Sequence, residues 1–203
     1  MFRKLIILTT ILAAALSASA EFRWGPTVGV NFSTFKWKQQ LLTTKGRTGF
    51  QGGLAAELMI PGIGFGIDLG LRYSMNGANE NFGDFKVWES DGIKNQNVWF
   101  HTIQIPLNLK FKWTRMNGFE QTLAPFVFGG PVFGFNVATN SQPALSHPTG
   151  FVTLQCGGGV ELFEHWQVSG GYSWGVSYQT ATIKLDNYSA QPRGGFINVA
   201  YLF

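Results

Sequence analysis

Three histidines, one cysteine and a sparse set of charged side chains are the groups in this 203-residue chain that could carry chemistry. Lipid hydrolysis or acyl transfer needs a His within reach of a Ser nucleophile, with a carboxylate to orient the ring. His147 adjoins Ser146, His101 opens an alternating apolar run and His165 falls in a short link, but none sits in a recognisable nucleophile motif. The histidines are far apart, and no phosphate-cradling glycine motif lies between a strand and a helix, so no metal and no cofactor is expected. Cys156 stands alone, which excludes an intramolecular disulfide and a cysteine metal cluster and leaves it as a small apolar strand residue.

The charges form the more informative pattern. Glu57, Asp68, Arg72, Lys110, Lys112 and Glu161 each fall on the polar parity of a segment whose other parity is apolar. Such segments recur near 24–33, 50–60, 65–75, 101–113, 123–135, 152–162, 166–178 and 194–203. A period of two is the strand signal, and no long stretch favours the helical period. In the third segment Phe65, Ile67, Leu69, Leu71, Tyr73 and Met75 alternate without exception with Gly66, Asp68, Gly70, Arg72 and Ser74. In the fifth, Phe126, Phe128 and Val132 share one parity while Pro131, Phe133 and Phe135 break it, which predicts a bulge or register change near Gly129-Gly130.

The links between segments alternate as well. Those near 35–48, 76–98, 136–148 and 179–192 are long, whereas 61–64, 114–122 and 163–165 are short. Each segment supplies the roughly 9–11 tilted residues that cross a bilayer. The expected fold is therefore an all-β, eight-stranded antiparallel up-and-down transmembrane barrel with short periplasmic turns and longer extracellular loops. The chain ends in its eighth segment on Phe203, and a last strand escapes an unpaired edge by closing on the first.

Residues 1–20 read as a cleaved secretory signal peptide: basic Arg3 and Lys4, an apolar run from Leu5 to Leu16, then Ala18-Ser19-Ala20. The apolar run is shorter than the ~20 residues of a spanning helix. Residues 21–203 then form one barrel domain, with no linker to divide them. The 26 glycines and the 15% aromatic content beside only 13% charged residues fit strands in a membrane better than a soluble enzyme. The net charge of +4 is scattered rather than gathered in a stripe, which argues against nucleic acid.

Alternation leaves open whether the apolar face points inward, as in a soluble barrel or sandwich, or outward into lipid. The polar parity is rich in glycine, as a narrow interior requires, while Trp24, Trp99, Trp113, Trp166, Trp174, Tyr178, Tyr201 and Phe203 lie near segment ends, where membrane-interface aromatics sit. With the apolar face outward, Glu57, Asp68, Arg72, Lys110, Lys112 and Glu161 become a structural charge network filling the barrel interior. The first long link is basic, with Lys36, Lys38, Lys45 and Arg47, and is a candidate surface for lipopolysaccharide phosphates or a protein partner.

Ile103-Gln104-Ile105-Pro106-Leu107-Asn108-Leu109-Lys110-Phe111 resembles a stretch of the PorT-like outer-membrane β-barrel proteins. Pro125 to Pro131, Gly157 to Leu162, Gly171 to Gly175 and the terminal Tyr201-Leu202-Phe203 are similar to that family in the same order. The resemblance implies a small outer-membrane barrel, whose terminal aromatic is read by the outer-membrane assembly machinery, and carries over no active-site residue. The expected function is a non-enzymatic integral outer-membrane barrel with a structural or surface-interaction role through its outer loops. A lipid-modifying enzyme and a scaffold subunit of a secretion or transport assembly are the alternatives.

Overall fold

Strict alternation of side chains leaves the backbone only one way to satisfy its donors and acceptors, which is to pair with neighbours on both edges. In a computed structural model every strand of the wall pairs with a neighbour on each edge. The structure describes residues 21–37, 43–60, 62–81, 95–114, 118–140, 145–146, 148–182 and 189–203; the segment read as a signal peptide, Lys38 and His147 lie outside them. In chain order the strands are β1 (Glu21–Trp37), β2 (Thr43–Met59), β3 (Phe65–Asn81), β4 (Asn95–Lys112), β5 (Leu123–Thr139), β6 (Leu145–Ser146), β7 (Gly150–Leu162), β8 (Trp166–Gly175), β9 (Thr180–Thr182) and β10 (Ser189–Tyr201).

Eight of these build the wall, in the order β1-β2-β3-β4-β5-β7-β8-β10, and β10 closes antiparallel on β1 from Thr27↔Ala200 to Trp37↔Ala190. The closure expected from the last segment is thus made by the predicted partner. One backbone bond extends it, from Phe203 N–H to the Trp24 carbonyl (2.9 Å), and on the other edge Leu202 N–H donates to the His165 carbonyl (2.9 Å). The short strands β6 and β9 pair with each other, and β9 with the start of β10, at the end opposite the termini.

Strand boundaries differ from the sequence expectation wherever polarity hides pairing. β1 runs to Trp37 and β2 starts at Thr43, so Lys36, Lys45 and Arg47 stand in strands rather than in a loop. Conversely, the segment expected to run to Tyr178 ends at Gly175, because Val176 and Ser177 N–H both donate to the Val152 carbonyl (2.9 and 3.1 Å) and turn the chain out of the wall.

The fifth strand has no register change at Gly129-Gly130; its ladder with β4 skips Gly130 and Pro131 and resumes in the same register. Its register with β7 is continuous from Leu123↔Leu162 to Phe135↔Gly150. The register shifts instead where His101 and Thr102 of β4 pair with Ala138 and Asn136, and again in β2 between Gly46 and Gln51. Alternation fails in β5 because both faces are apolar: Phe126 and Val132 are buried inside, while Val127, Phe133 and Phe135 are exposed outside.

Inward rings, together with the backbone of the next strand, crowd the glycines opposite them. A Cβ on Gly159 would stand 2.7 Å from Phe126 Cζ, one on Gly157 2.7 Å from Phe128 Cζ, and one on Gly171 2.8 Å from Phe196 Cζ. Each ring tip reaches over a residue without a side chain, so large and bare positions alternate around a narrow lumen.

Candidate functional site: a lumen closed at two levels

At the end that carries the termini, five wall strands send polar side chains to one point. Glu57 on β2 accepts from Lys110 Nζ (2.7 Å) and Lys112 Nζ (3.1 Å) of β4, from Gln167 Nε2 (2.8 Å) of β8 and from Arg23 Nε (3.0 Å) of β1; Arg23 Nη2 also donates to it. Glu161 on β7 accepts from Lys112 Nζ (3.0 Å), Arg23 Nη2 (2.7 Å) and Gln167 Nε2 (2.6 Å). The side chains of Glu57 and Lys110 are 0% and 2% exposed, so the cluster forms a closed floor. Lys110 Nζ also lies 4.1 Å from the Phe126 ring centre, a cation–π contact that shields its remaining side.

The cluster unites Glu57, Lys110, Lys112 and Glu161 but leaves out Asp68 and Arg72. Four residues apart on one strand, their Cα atoms are about 13 Å apart, and among the described residues no direct ion pair joins them. A chain of amides joins them instead. Asp68 Oδ2 accepts from Asn108 Nδ2 (2.9 Å), Asn108 Oδ1 from Gln155 Nε2 (2.9 Å), and Gln155 Oε1 from Arg72 Nη2 (3.4 Å). The Asn198 amide, with its oxygen toward Arg72, accepts from Nη1 at 3.1 Å and from Gln51 Nε2 at 3.3 Å. Arg72 also borders an internal cavity of about 60 Å³, lined further by Asn31, Gln51, Ser74 and Gln155.

Sequence reasoning passed over Arg23 and Gln167. Arg23 precedes the first clear alternation, yet its parity matches that of Gly25 and Thr27, which would have placed it inside. Gln167 lies on the polar parity opposite Trp166 but carries no charge to draw attention to it. A second closure was also unforeseen, because it breaks the rule of apolar outside. At the end opposite the termini Phe35, Trp37, Ala78, Val98, Phe100 and Ala190 are all buried, and the Phe35 and Phe100 rings meet edge to face with centres 5.6 Å apart.

The remaining expected residues lie on the outside or at the rims. Trp24, Phe203, Tyr201 and Trp166 form a continuous row at the terminus end, with ring centres 5.9, 5.1 and 4.9 Å apart in turn. Trp113 is there too, against Phe111 at 4.8 Å. Trp174 and Tyr178 are exposed at the other end. Trp99 is covered by the Arg47 guanidinium, 3.1 Å above its ring, so Arg47 is engaged with the wall and not free in a basic loop. Lys36 and Lys45 are exposed. His101 Nδ1 lies 2.5 Å from the Tyr73 hydroxyl on the outward face, and His165 stacks on Tyr201 at 5.5 Å. Cys156 is exposed on the outward face of β7.

A closed antiparallel wall, apolar outside and polar within, is the pattern of a barrel that crosses a membrane. Residues 14–178 match the family model described as an outer membrane protein beta-barrel domain. The chain belongs to that family. It is thereby an outer-membrane β-barrel protein, the side bearing Val28, Leu54 and Leu109 faces lipid, and the charged floor lies in the lumen.

Among solved structures, the chain is similar to the outer membrane protein OprG from Pseudomonas aeruginosa, with 11% identity over 91% of this chain and 95% of that one and a TM-score of 0.49. It is similar to Ail, the attachment invasion locus protein of Yersinia pestis, with 13% identity over 90% and 99% and a TM-score of 0.46. For a major outer membrane protein from Thermus thermophilus the values are 13%, 87%, 99% and 0.46. No curated protein matches the chain in sequence.

Proposed function

We propose that this protein is a non-enzymatic, non-conducting outer-membrane barrel that serves as a rigid wall-spanning anchor and acts through its outer end. The observation that carries this reading is the double closure: the floor of Arg23, Glu57, Lys110, Lys112 and Glu161 below and the apolar packing of Phe35 and Phe100 above. An ion crossing the lumen would have to displace buried charge pairs and then enter an apolar layer, both costly. In planar bilayers the purified protein is expected to give no stable step of conductance, and a sustained large conductance would overturn the reading.

With the termini and short turns on the periplasmic side, the row of Trp24, Phe203, Tyr201 and Trp166 would mark the inner interface and Trp174 and Tyr178 the outer one. Lys36 and Lys45 would then face the outer leaflet, where lipopolysaccharide supplies phosphate. Export by a cleaved signal at residues 1–20 and recognition of Phe203 by the assembly machinery belong to the same reading. The stretch Ile103 to Phe111 supports placing the chain in the PorT-like branch of outer-membrane barrels.

One observation keeps an enzyme in view, the short contact between His101 and the Tyr73 hydroxyl. Among the described residues it includes no Ser nucleophile and no carboxylate, so we favour the anchor. Release of fatty acid from lipid A by the purified protein, lost on changing His101, would reverse that preference.

A further inference from the structure

The described charges are sorted along the barrel axis. Every acid whose side chain is described lies in the half nearer the termini, whereas the strand charges near the opposite rim are Lys36, Lys45, Arg47 and Arg193; Glu80 and the acids within 82–94 and 183–188 are outside the described side chains. Arg47 is already engaged with Trp99. Arg193 is placed differently. Its register sets it directly between Thr34 of β1 and Trp174 of β8, on the outward parity that Ile197 shows by its exposure. Lys36 pairs with Gln191, two residues along β10, so Lys36 and Arg193 are diagonal neighbours on the same outward face, with about 7–8 Å between them.

Two cations side by side on a lipid-facing wall are costly in the hydrocarbon layer but well tolerated at the headgroup level, where anionic headgroups can meet them. Arg193 Nε is buried and has no hydrogen-bond partner among the described residues. Trp174, exposed beside it and packed on Tyr172 with ring centres 5.1 Å apart, adds an amphipathic surface of the kind that sits at an interface. The guanidinium supplies a planar fork and the ammonium a mobile charge, the pair of donors that phosphate oxygens accept best.

We propose that Arg193 and Lys36, with Trp174 beside them, form a site on the barrel wall across the β8–β10–β1 seam for the phosphate of a phosphorylated glycolipid of the outer leaflet. The site deepens the reading of an outer end that meets lipopolysaccharide and rests on that orientation. The lipid's acyl chains run down the apolar face below the site, past Phe32 and Ile197, which are 47% and 50% exposed.

The test compares fully phosphorylated lipid A with dephosphorylated lipid A, each titrated into the full-length protein in nanodiscs of neutral lipid and read by native mass spectrometry. The wild-type protein should prefer the phosphorylated form by about tenfold or more. The doubly neutralised Arg193→Gln, Lys36→Gln protein should lose most of that preference while keeping heat-modifiable migration on a gel, and Arg193→Lys should retain part of it. Equal preference in wild type and the double variant would overturn the site. So would displacement of the lipid by millimolar inorganic phosphate, which would mark a free-anion site instead. Conductance separates the two proposals: a double variant that binds unchanged while the wild type stays non-conducting removes only the seam site.

Discussion

Glu57→Gln is expected to destabilise the folded barrel by about 3–5 kcal/mol, the range seen when one partner of a buried ion pair is removed. Among the described residues, Glu57 is the only side chain that touches all three cations of the floor, Lys110, Lys112 and Arg23. Gln has nearly the same shape, so the effect isolates charge from packing. Without Glu57 the three cations share Glu161 and the exposed Glu21, which lies 3.7 Å from Arg23. The lysine side chains are almost wholly buried, Lys110 2% and Lys112 7% exposed. The loss would be read as a lower urea midpoint for the heat-modifiable form in lipid. Glu21→Gln, at a side chain 63% exposed, should change it by less than about 1 kcal/mol. Adding Lys110→Met to Glu57→Gln should recover part of the loss, because it removes a cation that no longer has its partner. An unchanged midpoint for Glu57→Gln would mean that the floor is not stabilising.

Gly159→Val is the second large effect. Its Cβ would overlap the Val168 carbonyl and meet Phe126 Cζ at 2.7 Å and the Ser169 Cα at 2.8 Å, and the added methyls would lie in the same space. Overpacking a filled interior costs about 1–3 kcal/mol, and here the backbone of β8 must move as well, so the upper end is expected. Phe126→Ala should relieve the ring clash but not the backbone clash, and the double variant should regain only the smaller part of the loss. Gly158 faces outward, and its Cβ finds its nearest neighbour at 3.2 Å, so Gly158→Ala should fold nearly as well as the wild type. Yields of the heat-modifiable form after refolding into lipid would rank the three. Equal yields for Gly159→Val and Gly158→Ala would show that the lumen has room that the Phe126–Gly159 contact denies.

These two predictions divide between what could be read in advance and what could not. That Glu57, Lys110, Lys112 and Glu161 share one face follows from parity, since a period of two assigns each residue to a face whatever its partners are, and the glycines of that face with the terminal aromatics of the other pointed it inward. That they converge at one level, while Asp68 and Arg72 do not, depends on how far each strand slides past the next. Register is a property of pairs of strands, and no single segment carries it. The same limit explains β5, where two apolar faces erase the signal and the expected bulge at Gly129-Gly130 is absent. It also explains the buried Phe35, Trp37, Val98 and Phe100, which locally resemble any other strand residues and are sealed in only because the wall closes around them.

The sequence by itself determined the strands, their parity, the alternation of long and short links and hence the barrel, because each is set by local spacing against a solvent of one polarity on each face. Only the tertiary structure decided which groups meet across the lumen, that Arg23 and Gln167 complete the floor, and that Arg193 and Lys36 share one outward patch across the closing seam. Closure joins the first strand to the last, residues more than 150 positions apart such as Thr34 and Arg193, and contacts made by closing a ring have no local trace along the chain.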